Sequence, residues 1–395
     1  MKRVLLLVLL CSSLLVVSSS TTGFPEVQYL AHISVSHDSI NITCNADFIS
    51  QGWSGNGTTD DPFSIQNLDI TSNVTCIRMA NTTAYFIIRD CQLESFWDED
   101  YAIGYNAVEL CNVSNGVLEN CDIYGSASCI LLIDCSNTEV RDCRLRSISA
   151  HGLYGIRLQE CRILENNIPQ SGMHGVELMD GNDIDFADNQ ISDSHGSGVS
   201  IYNLSRCMVI DNAVSSCNGH GMRFDELLDS SVFGNSITLN GAYGLCAYAI
   251  NSSFVNNTVT ENQGYGIDLE GSGNTLYGNI IGGNGISNAR DRGSNNTWDD
   301  SVSLGNAWDD YIGVGSYAIE GEAGSIDRYP STVPGVIGPA LILMVLAAGI
   351  LTISLLYFLR KRVRLQHMQP SSNAKSGPLV SRVSVWLRNL AVPAE

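Results

Sequence analysis

A marker residue, cysteine or asparagine two places before an aliphatic one, recurs at Cys91, Cys121, Cys143, Asn166, Asn189, Asn212, Asn235, Asn257 and Asn279. The intervals are 30, 22, 23, 23, 23, 23, 22 and 22 residues, and Leu68 stands 23 residues before Cys91. Three residues before each marker lies an apolar side chain, from Ile88 to Leu276, and two after it another, from Leu93 to Ile281. A second series opens with a small residue and continues apolar-x-apolar. It comprises Cys76-Ile-Arg-Met, Ala107-Val-Glu-Leu, Cys129-Ile-Leu-Leu, Gly155-Ile-Arg-Leu, Gly175-Val-Glu-Leu, Gly198-Val-Ser-Ile, Gly221-Met-Arg-Phe, Gly244-Leu-Cys-Ala and Gly266-Ile-Asp-Leu. A period of two marks strands with one buried face.

A 22–23-residue unit holding several short strands is a solenoid. Helical repeats need roughly 33–47 residues and a period of 3.6. The Leu-x-x-Leu-x-Leu frame of leucine-rich repeats is missing. The pattern predicts an all-β, right-handed parallel β-helix of about ten rungs over residues 64–290. Residues 24–63 then form an N-terminal cap and 291–332 a C-terminal cap. The marker asparagines fit a ladder at a tight turn, where the side chain bonds the backbone and tolerates left-handed angles. Cysteine, a small hydrophobe, replaces asparagine in the first three rungs.

The ends of the chain point to a membrane. Lys2 and Arg3, the apolar run Val4 to Val17 and the small polar residues after it have the layout of a secretory signal over residues 1–22. Val336 to Leu359 is an uncharged apolar run of 24 residues, enough for one C-terminal transmembrane α-helix across a ~30 Å hydrocarbon core. Arg360, Lys361, Arg362 and Arg364 follow, which places the basic tail 360–395 in the cytoplasm. The expected product is a single-pass cell-membrane protein whose N-terminal domain is extracellular or periplasmic. Leu379, Val383, Trp386, Leu387 and Leu390 give the tail an apolar face at helical spacing, suited to an anionic leaflet, with an unstructured basic tail that only fixes topology as the alternative.

That topology divides the charge. Between signal and span lie twelve arginines, forty acidic residues and no lysine, a charge of −28. Such a field excludes a nucleic-acid partner and disfavours anionic ligands. Nine Asn-x-Ser/Thr sequons, at Asn41, Asn56, Asn73, Asn81, Asn112, Asn203, Asn251, Asn256 and Asn295, all fall in this region as candidate glycosylation sites. Twelve cysteines remain after the signal. Column neighbours lie ~4.8 Å apart, within disulfide reach. Cys91 with Cys121, Cys121 with Cys143, and Cys135 with Cys161 are candidate pairs, with buried free thiols the alternative.

Chemistry is sparser. The residue before the small position reads Tyr154, His174, Ser197, His220, Tyr243, Tyr265, a stripe that could stack on sugars or pack a turn. Extra residues between Cys91 and Cys121 form a surface loop with Trp97, Tyr101 and Tyr105 beside acids, either a further glycan or protein contact or a loop that folds its aromatics onto the N-terminal rungs. Asp180, Asp183 and Asp185 cluster around Gly181 as a candidate Ca²⁺ site, and the cap acids Asp299, Asp300, Asp309 and Asp310 are an equal one. No other cofactor is indicated. Gly219-His220-Gly221 with Arg223 is similar to one fragment of polygalacturonases, but the accompanying Asn-Thr-Asp and Asp-Asp segments are absent from the repeats.

The repeat, together with Asn296-Thr-Trp298, Gly305-Asn-Ala-Trp308-Asp-Asp-Tyr311 and Asp327-Arg-Tyr-Pro330, resembles the NosD-related β-helix proteins, the periplasmic copper-binding accessory group. Asp47-Phe-Ile-Ser-Gln-Gly-Trp53 and Asp61-Pro62-Phe63 resemble the start of their first rung. The resemblance implies the β-helix fold. Copper does not carry over, because Met173-His174 and His220-x-Met222 are the only close soft-ligand pairs in the rungs. The functional expectation is a non-catalytic surface module binding glycans or an envelope protein. A membrane-tethered polysaccharide lyase or hydrolase and a structural stalk are the alternatives.

Overall fold

The computed structural model describes residues 34–96, 104–147 and 149–333. In each turn the chain crosses three parallel sheets, of ten, thirteen and eleven strands. The first complete rung runs Phe63–Gln66, Leu68–Ser72 and Ile77–Thr82. Each strand pairs with its counterpart one turn later. About eleven turns at ~4.8 Å give a rod ~50–60 Å long.

The inward residues stack in columns. Ile65, Ile88, Leu118, Val140, Ile163, Phe186, Val209, Val232, Phe254 and Leu276 line the ten-stranded sheet, all buried. The series from Leu93 to Ile281 lines the thirteen-stranded sheet. One expected strand was out of register. Leu153 pairs with Ile130 and Val176, so Gly152, not Gly155, is the opening small residue. Ile156 and Leu158 imitate the period-two step, but Arg157 between them is left-handed, with φ 53°, and breaks the strand.

The marker column is the ladder the spacing implied. Asn189 Nδ2 donates to Asn212 Oδ1 at 2.9 Å and to the Ile163 carbonyl at 2.9 Å. Its backbone N–H also reaches Asn212 Oδ1, at 3.0 Å. The same three hydrogen bonds recur as far as Asn279, whose acceptor is Asn306, one rung past the predicted end. The residue before each ladder member from Asn166 to Asn279 is left-handed, as at Asp188, Asp211 and Asn256. At Gly234 the same left-handed turn, with φ 69°, is held by a glycine, which has no Cβ to meet Asp211 Oδ1.

The cysteines of this column also bond their turns, an interaction not expected of a small hydrophobe. Cys91, Cys121 and Cys143 each donate S–H to the carbonyl two residues back, at 3.2 Å. All twelve cysteines among the described residues are free thiols. The Cys135–Cys161 pairing fails on register: Ser136 pairs with Gln159 and Glu139 with Arg162, so the two cysteines are offset by three residues.

Both ends of the core are closed by aromatics. The helix Asn45–Ser50 buries Phe48, whose ring stacks on Phe63 at 4.6 Å. At the other end Trp298 and Trp308 are fully buried. Their Nε1–H groups donate to Asp291 Oδ2 at 2.9 Å and Asp327 Oδ2 at 3.0 Å. The cap acids are thus committed to structure. Asp299 is bound by Arg328, and Asp300 Oδ1 accepts three backbone N–H bonds. Among the described residues no helix is long and apolar enough to cross a membrane. Residues 1–22, 336–359 and 360–395 lie outside those described.

Candidate functional site

The register correction redraws the aromatic stripe. Its members are His151, His174, Ser197, His220, Tyr243 and Tyr265, at the edge where each turn enters the eleven-stranded sheet. His151 replaces Tyr154, and its spacing of 23 residues from His174 was the signal available in the sequence. The stripe packs the turn. His174 Nδ1 accepts from the Ser197 N–H at 2.9 Å, and His220 Nδ1 from the Tyr243 N–H at 3.2 Å. Tyr265 is buried, donates its hydroxyl to Glu320 at 3.0 Å and is covered by the Arg290 guanidinium at 4.3 Å. The ring nitrogens of His174 and His220 and the Tyr265 hydroxyl are thus committed to the fold, while His174, His220 and Tyr243 stay half-buried.

His151 is buried and stacked against His174 at 5.5 Å. Burial, then the neighbouring His174, holds its pKa down to about 4. The neutral ring's Nε2–H lies 3.1 Å from Glu177 Oε2, in donating position. Burial likewise lowers His220.

Tyr154 faces outward on the eleven-stranded sheet, its hydroxyl 3.3 Å from Met179 Sδ. Two residues further along each strand runs a second outward row, Met179, Tyr202, Asp225, Tyr248 and Glu270. Tyr202 and Tyr248 are 49% and 41% exposed, large aromatics that the fold does not consume. Arg223 Nη2 holds Asp225 Oδ2 at 2.7 Å, and Arg292 Nη1 holds Glu270 Oε2 at 3.0 Å. Tyr202, Arg223, Asp225, Glu226, Tyr248 and Glu270 line an open groove of about 540 Å³.

The groove lies beside a change in the repeat. Asn81, Asn112, Asp134, Arg157, Asp180, Asn203 and Glu226 form a left-handed column that falls inside the longer strands of this sheet and just past the shorter ones. The next rung omits that residue, and the register shifts between Asp225 and Leu227. This is where the marker interval falls from 23 to 22 residues. A bulge re-aims side chains and is enriched beside binding sites. Tyr202 and Tyr248 lie 46 residues apart, two repeats, a signal legible in the sequence had the outward rows been read.

The acidic cluster does not converge. Asp180 accepts from Asn203 Nδ2 at 2.8 Å, Asp183 is gripped by Arg206, and Asp185 lies on a strand of the ten-stranded sheet. The guanidinium keeps the Asp183 carboxyl below the usual carboxylate range. Asp180 and Asp183 thus take separate side-chain partners, and no three His, Cys, Asp or Glu among the described residues could hold a metal. All nine sequon asparagines are exposed, whereas the ladder asparagines are buried. Tyr105 is half-buried, while Trp97 and Tyr101 lie outside the described residues.

Three parallel sheets wound into one rod define a parallel β-helix protein with an open groove on one face. The sequence matches the right handed beta helix region over residues 49–161 and 128–286, more than half of the chain, and the protein belongs to that family. Among solved structures it is similar to PfbA, a surface adhesin of Streptococcus pneumoniae, at 10% identity over 77% of this chain and 86% of that one, with a TM-score of 0.46. The A-module of the Azotobacter vinelandii mannuronan C-5 epimerase AlgE6 aligns at 12% identity over 76% and 91%, TM-score 0.43. The Dettilon tailspike protein aligns at 13% identity over 76% and 62%, TM-score 0.44. No curated protein matches the chain.

Proposed function

We propose that the protein is a membrane-anchored surface module that binds a neutral glycan along the groove between Tyr202 and Tyr248. The observation that carries this reading is the pair of exposed tyrosines in one outward column, with Asp225 between them. Their rings give apolar faces for stacking, and Asp225 and Glu270 give acceptors for sugar hydroxyls. The arginines that engage both carboxylates leave neither as a free proton donor, which favours binding over hydrolysis. The charge of −28 between signal and anchor favours neutral over anionic chains.

The reading includes export by the 1–22 signal, anchoring by 336–359, a cytoplasmic tail and N-glycans on the exposed sequons. The cap motif around Trp298 and Trp308 supports a place near the NosD-related group, without its copper. An array of neutral and uronic oligosaccharides, probed with the full chain in detergent micelles, tests the proposal. Binding to neutral members that Tyr202→Ala weakens supports it. Turnover of any member, or binding only to uronic chains, overturns it.

A further inference from the structure

The C-terminal end of the rod presents apolar side chains to solvent. Val302, Ile312 and Val314 are 74%, 67% and 75% exposed, and Leu304, Ile326 and Tyr329 are also exposed. All six follow the last rung. The loops that carry them are held in shape. Asp300 Oδ1 accepts the N–H groups of Val302, Ser303 and Leu304 at 2.8, 2.7 and 2.8 Å. Tyr311 donates its hydroxyl to the Gly315 carbonyl at 2.5 Å, closing the loop that displays Ile312 and Val314. The Gly305 N–H bonds the Tyr329 carbonyl at 3.1 Å, which sets Leu304 beside Tyr329. These hydrogen bonds fix the loops with their apolar side chains turned to solvent.

The chain leaves from this same end. Ser331–Thr332 is the outermost strand of the thirteen-stranded sheet, paired with Ala307–Trp308. The apolar run begins at Val336, three residues after Val333. Three residues reach at most ~10 Å. An anchor that enters the hydrocarbon at Val336 therefore brings the cap to the headgroup layer. Exposed valine, leucine and isoleucine with a tyrosine suit that layer, where apolar bodies bury and polar tips stay wet.

We infer that the C-terminal cap is a lipid-seating surface: Val302, Leu304, Ile312 and Val314 insert into the membrane interface and stand the rod upright on the bilayer. This rests on the reading of 336–359 as the anchor. Seating fixes the groove face at a set height, with Tyr202 four rungs before the last strand of its sheet.

The test is photocrosslinking of the full chain in phosphatidylcholine nanodiscs. Benzoylphenylalanine replaces Val302 or Val314 at the cap, Phe233 on the side of the rod, and Leu351 within the anchor. Lipid adducts are counted by mass spectrometry. The expected result is strong labelling from positions 302, 314 and 351 and several-fold less from 233. Labelling from 351 with 302 and 314 no higher than 233 overturns the seating and leaves the anchor standing. No labelling from 351 overturns the anchor and the seating with it.

Discussion

Tyr202 and Tyr248 project from the same outward column of the eleven-stranded sheet, two rungs apart, with Asp225 on the rung between. Two strand spacings separate them by ~9–10 Å. An extended sugar chain lying along the rod meets both rings. Replacing either by alanine removes one stacking face and should cost about 1.4 kcal/mol, roughly tenfold in affinity. Tyr277→Ala, on the ten-stranded sheet, should leave affinity unchanged. Titration calorimetry with the tightest neutral oligosaccharide measures both.

The asparagine ladder should be the most sensitive part of the fold. Asn212→Ala removes the bonds to Phe186 O and Asn235 Oδ1 and strips Asn189 of its acceptor. Buried groups left unpaired cost about 1–3 kcal/mol each, so a loss of about 3 kcal/mol or more is expected in urea unfolding. Asn212→Ser should recover part of it, because Ser230 Oγ accepts the Cys207 N–H at 2.9 Å in an equivalent role at another corner.

His151 should make stability fall with acid. Its folded pKa is held at about 4, below the ordinary 6.5, by burial and by His174. The unfolded chain therefore takes up a proton that the folded chain refuses. The contribution is complete above pH 6.5 and is lost as pH falls through about 4. A full shift corresponds to about 3 kcal/mol. Unfolding from pH 7 to 4 should be less pH-dependent in His151→Gln. Equal slopes in both proteins would show that His151 does not titrate this way.

The thiols should stay reduced and mostly inert. Burial pushes Cys76 and Cys135 up to about 12, whereas Cys44 is exposed. Iodoacetamide on the folded protein should modify Cys44 first. Peptide maps made without reductant, after denaturation, should show Cys91, Cys121 and Cys143 alkylated. A Cys91–Cys121 cross-link would contradict the thiol ladder.

The rod was legible because its columns are one-dimensional: the inward aliphatic residues and Asn166 to Asn279 repeat at nearly fixed spacing. Register failed at Gly155, where Ile156 and Leu158 imitate a strand step that the left-handed Arg157 interrupts. The groove was harder to see. Outward positions carry no hydrophobic period, so Tyr202 and Tyr248 stood out from other surface residues only by their shared column. The edge aromatics were visible in the sequence, but their commitment to neighbouring backbone groups and to Glu320 required coordinates.

Hydroxyl-radical footprinting, with and without the tightest neutral oligosaccharide, tests the binding face most directly, because tyrosine oxidation reports ring exposure residue by residue. The account predicts that oxidation of Tyr202 and Tyr248 falls on binding while that of Tyr124 and Tyr277, on the other two sheets, is unchanged. Unaltered oxidation of Tyr202 and Tyr248 in the bound state, or protection confined to another face, would contradict it.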